Sequence, residues 1–101
     1  MKKYKITIQK EAIDELDEIY DFICKDSPKK AVKLVGEVKK KLLSLENFPD
    51  RGSRVKLPKL SQPIRFITHK GFVFFYTITE NVVCLLHITS KGQDWWELFG
   101  L

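Results

Sequence analysis

Cysteine is scarce in this chain: Cys24 and Cys84 are the only two in 101 residues, and each sits inside an apolar pattern. Two are too few for a disulfide scaffold, and neither has neighbours at zinc-ligand spacing, so both are expected to be buried thiols of a cytoplasmic protein with no metal and no cofactor. Long apolar runs are lacking too. The stretch from Phe72 to Ile88 is interrupted by Thr77, Thr79, Glu80, Asn81 and His87, which excludes a membrane-spanning helix of roughly 20 apolar residues. Met1-Lys2-Lys3 leads into an alternating segment rather than an apolar one, so neither a signal peptide nor a membrane partner is expected. Repeats, low-complexity tracts and long linkers are also missing.

What is present fits one domain over residues 1–101, with 44% hydrophobic and 31% charged residues. A chain this short buries roughly 60–70% of its unfolded surface, enough for one core but not for a roomy enclosed pocket. A site is therefore expected on a groove or an open face. The formal net charge of +5 favours an acidic partner, whether nucleic acid, an acidic protein or an anionic surface, beside the plainer reading of a soluble domain with spare lysines.

The hydrophobic period changes along the chain. Tyr4, Ile6 and Ile8 alternate with Lys5, Thr7 and Gln9, the pattern of a half-buried strand. From Glu11, Ala12, Leu16, Ile19 and Ile23 recur at helical spacing, while Glu11, Asp14, Glu15, Asp17, Glu18 and Asp21 form what reads as a solvated acidic face. Ser27-Pro28 is a helix start, and Ala31, Leu34, Val35, Val38, Leu42 and Leu45 make a second stripe. Lys29, Lys30, Lys33, Lys39, Lys40 and Lys41 lie on the opposite face of that second helix. A turn near Lys25-Asp26 would fold the two helices into an antiparallel hairpin. Phe48-Pro49-Asp50-Arg51-Gly52 turns the chain into a basic connector over 53–63, with a short edge strand expected around Ser53–Leu57.

Three strands are expected at 64–68, 72–78 and 82–89, joined at His69-Lys70-Gly71 and Thr79-Glu80-Asn81. Both faces of the middle strand are apolar, which makes it central. The tail holds Trp95, Trp96 and Phe99. The order β-α-α-β-β-β predicts an α+β fold: a helical hairpin on one face of a small antiparallel sheet, with the first strand at an edge or beside the meander.

This order resembles the RelE/ParE superfamily, toxins of type II toxin–antitoxin systems, over nearly the whole chain. Leu42-Leu43-Ser44-Leu45-Glu46-Asn47-Phe48-Pro49-Asp50-Arg51-Gly52 is similar to that family's leucine, proline, two residues, glycine signature after the hairpin. Arg65 stands where the family has an arginine opening the meander. Gly71-Phe72-Val73-Phe74-Phe75-Tyr76 resembles the second meander strand with its terminal tyrosine, Leu85-Leu86-His87-Ile88 the third strand, and Asp94 an acid just past it. The resemblance implies a cognate antitoxin partner, expected to be acidic, and one of two activities: poisoning of DNA gyrase, or cleavage of mRNA in the ribosome.

RNA cleavage without a metal requires a base for the 2′-hydroxyl, cations for the phosphorane and an acid for the leaving oxygen. Relatives that cleave RNA take these from arginines, lysines, histidine and tyrosine. Here the arginine of the second meander strand is replaced by Val73, Ile64 and Phe66 flank Arg65, and Lys91 alone is basic in 89–94. The depleted set leans to the ParE-like, gyrase-directed side of the resemblance, with plasmid stabilisation as the associated role.

On the mRNA-endonuclease alternative, Arg65, His87, Lys91 and Tyr76 would carry the chemistry. Each also has a structural reading. Arg65 either binds an anion or pairs with an acid of the first helix. His87 and Tyr76 read as partly buried sheet residues, and His69 as a solvated turn residue. Trp95, Trp96 and Phe99 either pack back on the sheet or present an apolar partner surface. A third reading, a nontoxic remnant or a pure nucleic-acid-binding module, rests on the lysine face of the second helix and the 51–59 connector.

Overall fold

In the computed structural model, residues 3–55 and 63–90 are described. Strand β1 (Lys5–Ile8) leads into helices α1 (Lys10–Asp26) and α2 (Pro28–Leu43). Two short 3-10 turns, Ser44–Glu46 and Pro49–Arg51, precede strands β2 (Ser53–Arg54), β3 (Arg65–His69), β4 (Phe72–Thr79) and β5 (Val82–Ser90).

A single residue separates the helices. The Ser27 N–H donates to the Ile23 carbonyl at 2.8 Å, closing α1, and its hydroxyl accepts the Lys30 N–H at 3.3 Å, opening α2. Pro28 follows at the first helical position, where its missing N–H costs nothing. The hairpin is therefore tighter than a turn at Lys25-Asp26 would make it, because α1 runs through both residues.

The sheet order is β1-β5-β4-β3-β2. The strands pair antiparallel except for β1, which lies at the edge parallel to β5, with Lys5 beside Val82 and Ile8 beside Leu85. The helical connection between β1 and the meander makes that parallel pairing possible. Strand β4 is central, as its two apolar faces predict. The expected edge strand near Ser53 is confined to two residues in the structure, and positions 56–62 lie outside the described residues.

One face of the sheet carries the core. Ala12, Leu34, Val38, Leu42 and Leu45 pack against Ile67, Phe74, Tyr76, Val83, Leu85 and Ile88, with Leu16, Ile19 and Ile23 of α1 at the margin. Phe75 is buried on the opposite face and meets Phe66 in a tilted ring contact at 6.0 Å. Both cysteines are half-buried free thiols, less enclosed than the sequence pattern suggests.

The β3–β4 loop has Lys70 at φ 47° and Gly71 at φ 83°. Two successive left-handed residues give the loop a twist matching that of the flanking strands, and Gly71 takes the conformation without a Cβ penalty. The pairing of β4 with β5 shifts register between Phe75 and Tyr76: Tyr76 faces Leu85, whereas Phe75 faces His87. Leu86 is the extra residue of a bulge.

Candidate functional site

The turn after α2 is held by the meander. Tyr76 is fully buried, and its hydroxyl donates to the Pro49 carbonyl at 2.5 Å while accepting the Gly52 N–H at 3.1 Å. Arg65, its cross-strand partner, donates from Nη1 to the carbonyls of Asp50 at 3.0 Å and Gly52 at 2.8 Å. These four bonds join the Pro49–Arg51 turn to the sheet.

Gly52 has φ −75° and ψ 156°, an ordinary extended conformation, so backbone strain does not explain the glycine. Space does. A Cβ there would lie 2.3 Å from the Tyr76 hydroxyl oxygen and 2.8 Å from the Phe66 carbonyl oxygen. The proline, two residues, glycine signature is thus the complement of Arg65 and Tyr76. Burial raises the Tyr76 pKa above the ordinary phenol value, against the Gly52 N–H and the Arg65 and Arg51 charges, which lower it. The phenol stays protonated at neutral pH and keeps donating to Pro49.

His87 is held elsewhere. Its Nδ1 lies 3.1 Å from Glu15 Oε2, and Glu15 Oε1 also accepts the Ile88 N–H at 2.9 Å, just past the bulge. Glu15, which the sequence places on a solvated acidic face, is therefore a half-buried clasp between α1 and β5. His69 is likewise no plain turn residue. Its Nε2 lies 3.1 Å from Glu37 Oε2, and Lys70 Nζ lies 2.8 Å from the same oxygen. The Lys70 hydrogen bond, aided by His69 and opposed by desolvation, lowers the Glu37 pKa. This trio ties the β3–β4 loop to the middle of α2.

The structure therefore brings Arg65 and Tyr76 together, on backbone groups, and gives His87 a separate contact. Arg65 pairs with the carbonyls of the Pro49–Gly52 turn and not with an acid of α1. Lys91, Trp95, Trp96 and Phe99 lie outside the described residues. Among the described residues, no cluster of three or more histidines, cysteines or carboxylates is placed to hold a metal. No described helix is long and apolar enough to cross a membrane.

An open groove of about 970 Å³ runs between the end of α1, α2 and the β3–β4 loop. Phe22, Ile23, Leu34 and Phe72 supply its apolar surface, and Lys25, Lys30, Lys33 and Lys70 outnumber Asp26 and Glu37 around it. Phe22 is 77% exposed, a large ring displaced from the Ala12-Leu16-Ile19-Ile23 stripe. That displacement was the one sequence signal for this groove.

The sequence model described as ParE toxin of type II toxin-antitoxin system, parDE, matches residues 6–95. The chain belongs to this family. No curated protein matches it in sequence. Among solved structures, this ParE-family chain is similar to one from the chromosomal ParDE toxin–antitoxin system of P. aeruginosa, with TM-score 0.71 and 20% identity, covering 87% of this chain and 96% of that one. It is also similar to a chain of the RelBE2 toxin–antitoxin complex of Mycobacterium tuberculosis, with TM-score 0.65, 14% identity and coverage of 92% and 97%. A chain of the archaeal RelE–RelB complex of Pyrococcus horikoshii follows at TM-score 0.55, 16% identity and coverage of 91% and 99%. At these identities the likeness is one of fold, and it bears out the α+β arrangement expected from the sequence.

Proposed function

We propose that this chain is the toxin of a type II pair, neutralised by an acidic cognate antitoxin, and that it acts in the ParE-like manner on DNA gyrase rather than as a nuclease. The observation carrying this reading is the engagement of the three nuclease candidates that the described residues include. Arg65 and Tyr76 bond the Pro49–Gly52 turn, and His87 bonds Glu15. A general acid or base must reach a substrate proton. Tyr76, fully buried and bonded on both sides of its oxygen, has no such reach.

The apolar groove beside Phe22 supports an antitoxin partner. An amphipathic segment with apolar anchors and acidic flanks matches its apolar surface and its lysines. The solved relatives from P. aeruginosa, M. tuberculosis and P. horikoshii belong to toxin–antitoxin systems, which supports the same reading.

Tightly induced expression in a bacterial host, scored by microscopy with DNA-synthesis and translation labelling, tests the target. Filamentation with failing DNA synthesis is expected. Rapid translation arrest with cuts in translated mRNA would instead identify a ribosome-dependent mRNA endonuclease. Coexpression with the adjacent open reading frame tests the partner: it is expected to bind the chain and relieve growth arrest.

A further inference from the structure

The hairpin separates charge. Helix α1 holds seven acidic side chains against two lysines, and α2 holds six lysines against one glutamate. Helix stability does not account for the second set. Lys40 and Lys41 suit the negative C-terminal end of the α2 dipole, but Lys29 and Lys30 sit in its first turn, where a cation is unfavourable and no acidic residue is present. Lys29 and Lys33 are also like charges four residues apart, a further destabilising pair.

The lysines fall into a line. Lys30, Lys33, Lys40 and Lys41 share one flank of α2 at helical spacing, and from Lys30 to Lys41 this flank runs about 16 Å at 1.5 Å per residue. Arg51 extends it past the helix end. Its Nη2 donates to Ser44 Oγ at 2.8 Å, and the Ser44 hydroxyl in turn donates to the Lys41 carbonyl, so the guanidinium is held beside the lysines. Glu37, the acid on this flank, is paired with Lys70 and contacts His69. Among the described residues, none of Lys30, Lys33, Lys40, Lys41 and Arg51 has a carboxylate partner.

We propose that this line binds the sugar–phosphate backbone of duplex DNA without reading its sequence. A duplex carries one phosphate charge per about 1.7 Å of its axis when both strands are counted, so a length of about 16 Å presents roughly nine phosphates on its two strands, enough partners for all five cations. Among the described residues, the surface around the lower half of the line, lined by Glu37, Lys40, Lys41, Ser44, Arg51 and His69, offers an acidic peptide no aliphatic anchor. Among the described residues, it also has no phenyl or indole platform on which single-stranded bases stack. The acidic face of α1 repels phosphates and confines their approach to the α2 side. Lys30 and Lys33 also line the apolar groove, whereas Lys40, Lys41 and Arg51 do not, so the lower half of the line, which the variants below probe, is distinct from the surface assigned to the antitoxin.

The test is fluorescence anisotropy of a labelled 20-base-pair duplex of arbitrary sequence with the purified full chain, in 50–200 mM NaCl. Five phosphate contacts predict a log–log salt slope of roughly −4.5 and a loss of affinity of several hundredfold across that range. Lys40→Ala/Lys41→Ala should reduce the slope by about 2, whereas Lys5→Ala/Lys39→Ala, equal in charge but off the line, should leave it unchanged. Circular dichroism of both variants keeps loss of binding distinct from loss of fold. No binding at 50 mM NaCl overturns the proposal, as does equal weakening by the two variants. Tighter binding of single-stranded RNA of the same length, or displacement of the duplex by polyglutamate charge for charge, overturns the duplex assignment.

Discussion

The hydroxyl of Tyr76 occupies the space in which a Gly52 side chain would begin, 2.3 Å from the position of its Cβ. A residue on the central strand and a glycine 24 positions earlier are thus one device, and the Gly52 N–H to Tyr76 bond is its visible half. The backbone carbonyl of Phe66 lies on the other side at 2.8 Å, so the turn cannot simply slide away.

Gly52→Ala is therefore expected to destabilise the chain by about 1–3 kcal/mol, the usual range for a side chain forced into filled space. Urea unfolding monitored by tryptophan fluorescence gives the number. A midpoint unchanged from the parent would show that the turn and Tyr76 separate freely.

Tyr76→Phe keeps the ring and removes the bonds to Pro49 and Gly52, leaving two buried backbone groups unpaired at about 1–3 kcal/mol. The parent should also lose stability in alkali. Because burial raises the folded-state pKa of Tyr76, its contribution is complete below the unfolded phenol value of about 10 and falls as pH rises through the folded value. The phenylalanine variant should lack that alkaline component in a pH series of thermal melts.

Arg65→Lys should not substitute for arginine. Both bonds come from Nη1, and the shorter lysine side chain does not carry its ammonium to where that nitrogen lies, so the variant is expected to lose about 1 kcal/mol while retaining the charge. If growth arrest falls only in proportion to folded protein, the role is structural. A loss of toxicity at full stability would restore Arg65 as a residue that meets a target.

Glu37 titrates in the opposite sense to Tyr76. Its folded-state pKa is lowered, chiefly by Lys70, so its contribution is present above the ordinary carboxylate value and is lost as pH falls through the folded value. Glu37→Gln should remove that part of the acid limb. It should also speed amide exchange in the β3–β4 loop, as measured by hydrogen exchange with mass spectrometry.

Element order and the core were legible because periodicity reports which face is buried. Ala12, Leu34, Val38, Leu42, Phe74 and Tyr76 all lie where their spacing put them. The site was less legible. Arg65, Tyr76 and His87 are reactive residue types, and the sequence does not say whether such a group meets solvent or a backbone carbonyl. The roles of Glu15 and Glu37 were hidden for the same reason: among many charged helix positions, only the strands packed against them single out two.

The sequence by itself determined two amphipathic helices of opposite charge, a central apolar strand and the turn chemistry at Ser27-Pro28 and Lys70-Gly71, because capping, periodicity and left-handed turns are local properties. Tertiary structure alone decided that β1 runs parallel to β5, that Leu86 bulges, that Glu15 reaches His87 and that Tyr76 fills the space at Gly52. Those relationships join residues far apart in the chain. Their energies arise from excluded volume and hydrogen bonding between surfaces that exist only once the helical hairpin has packed on the sheet.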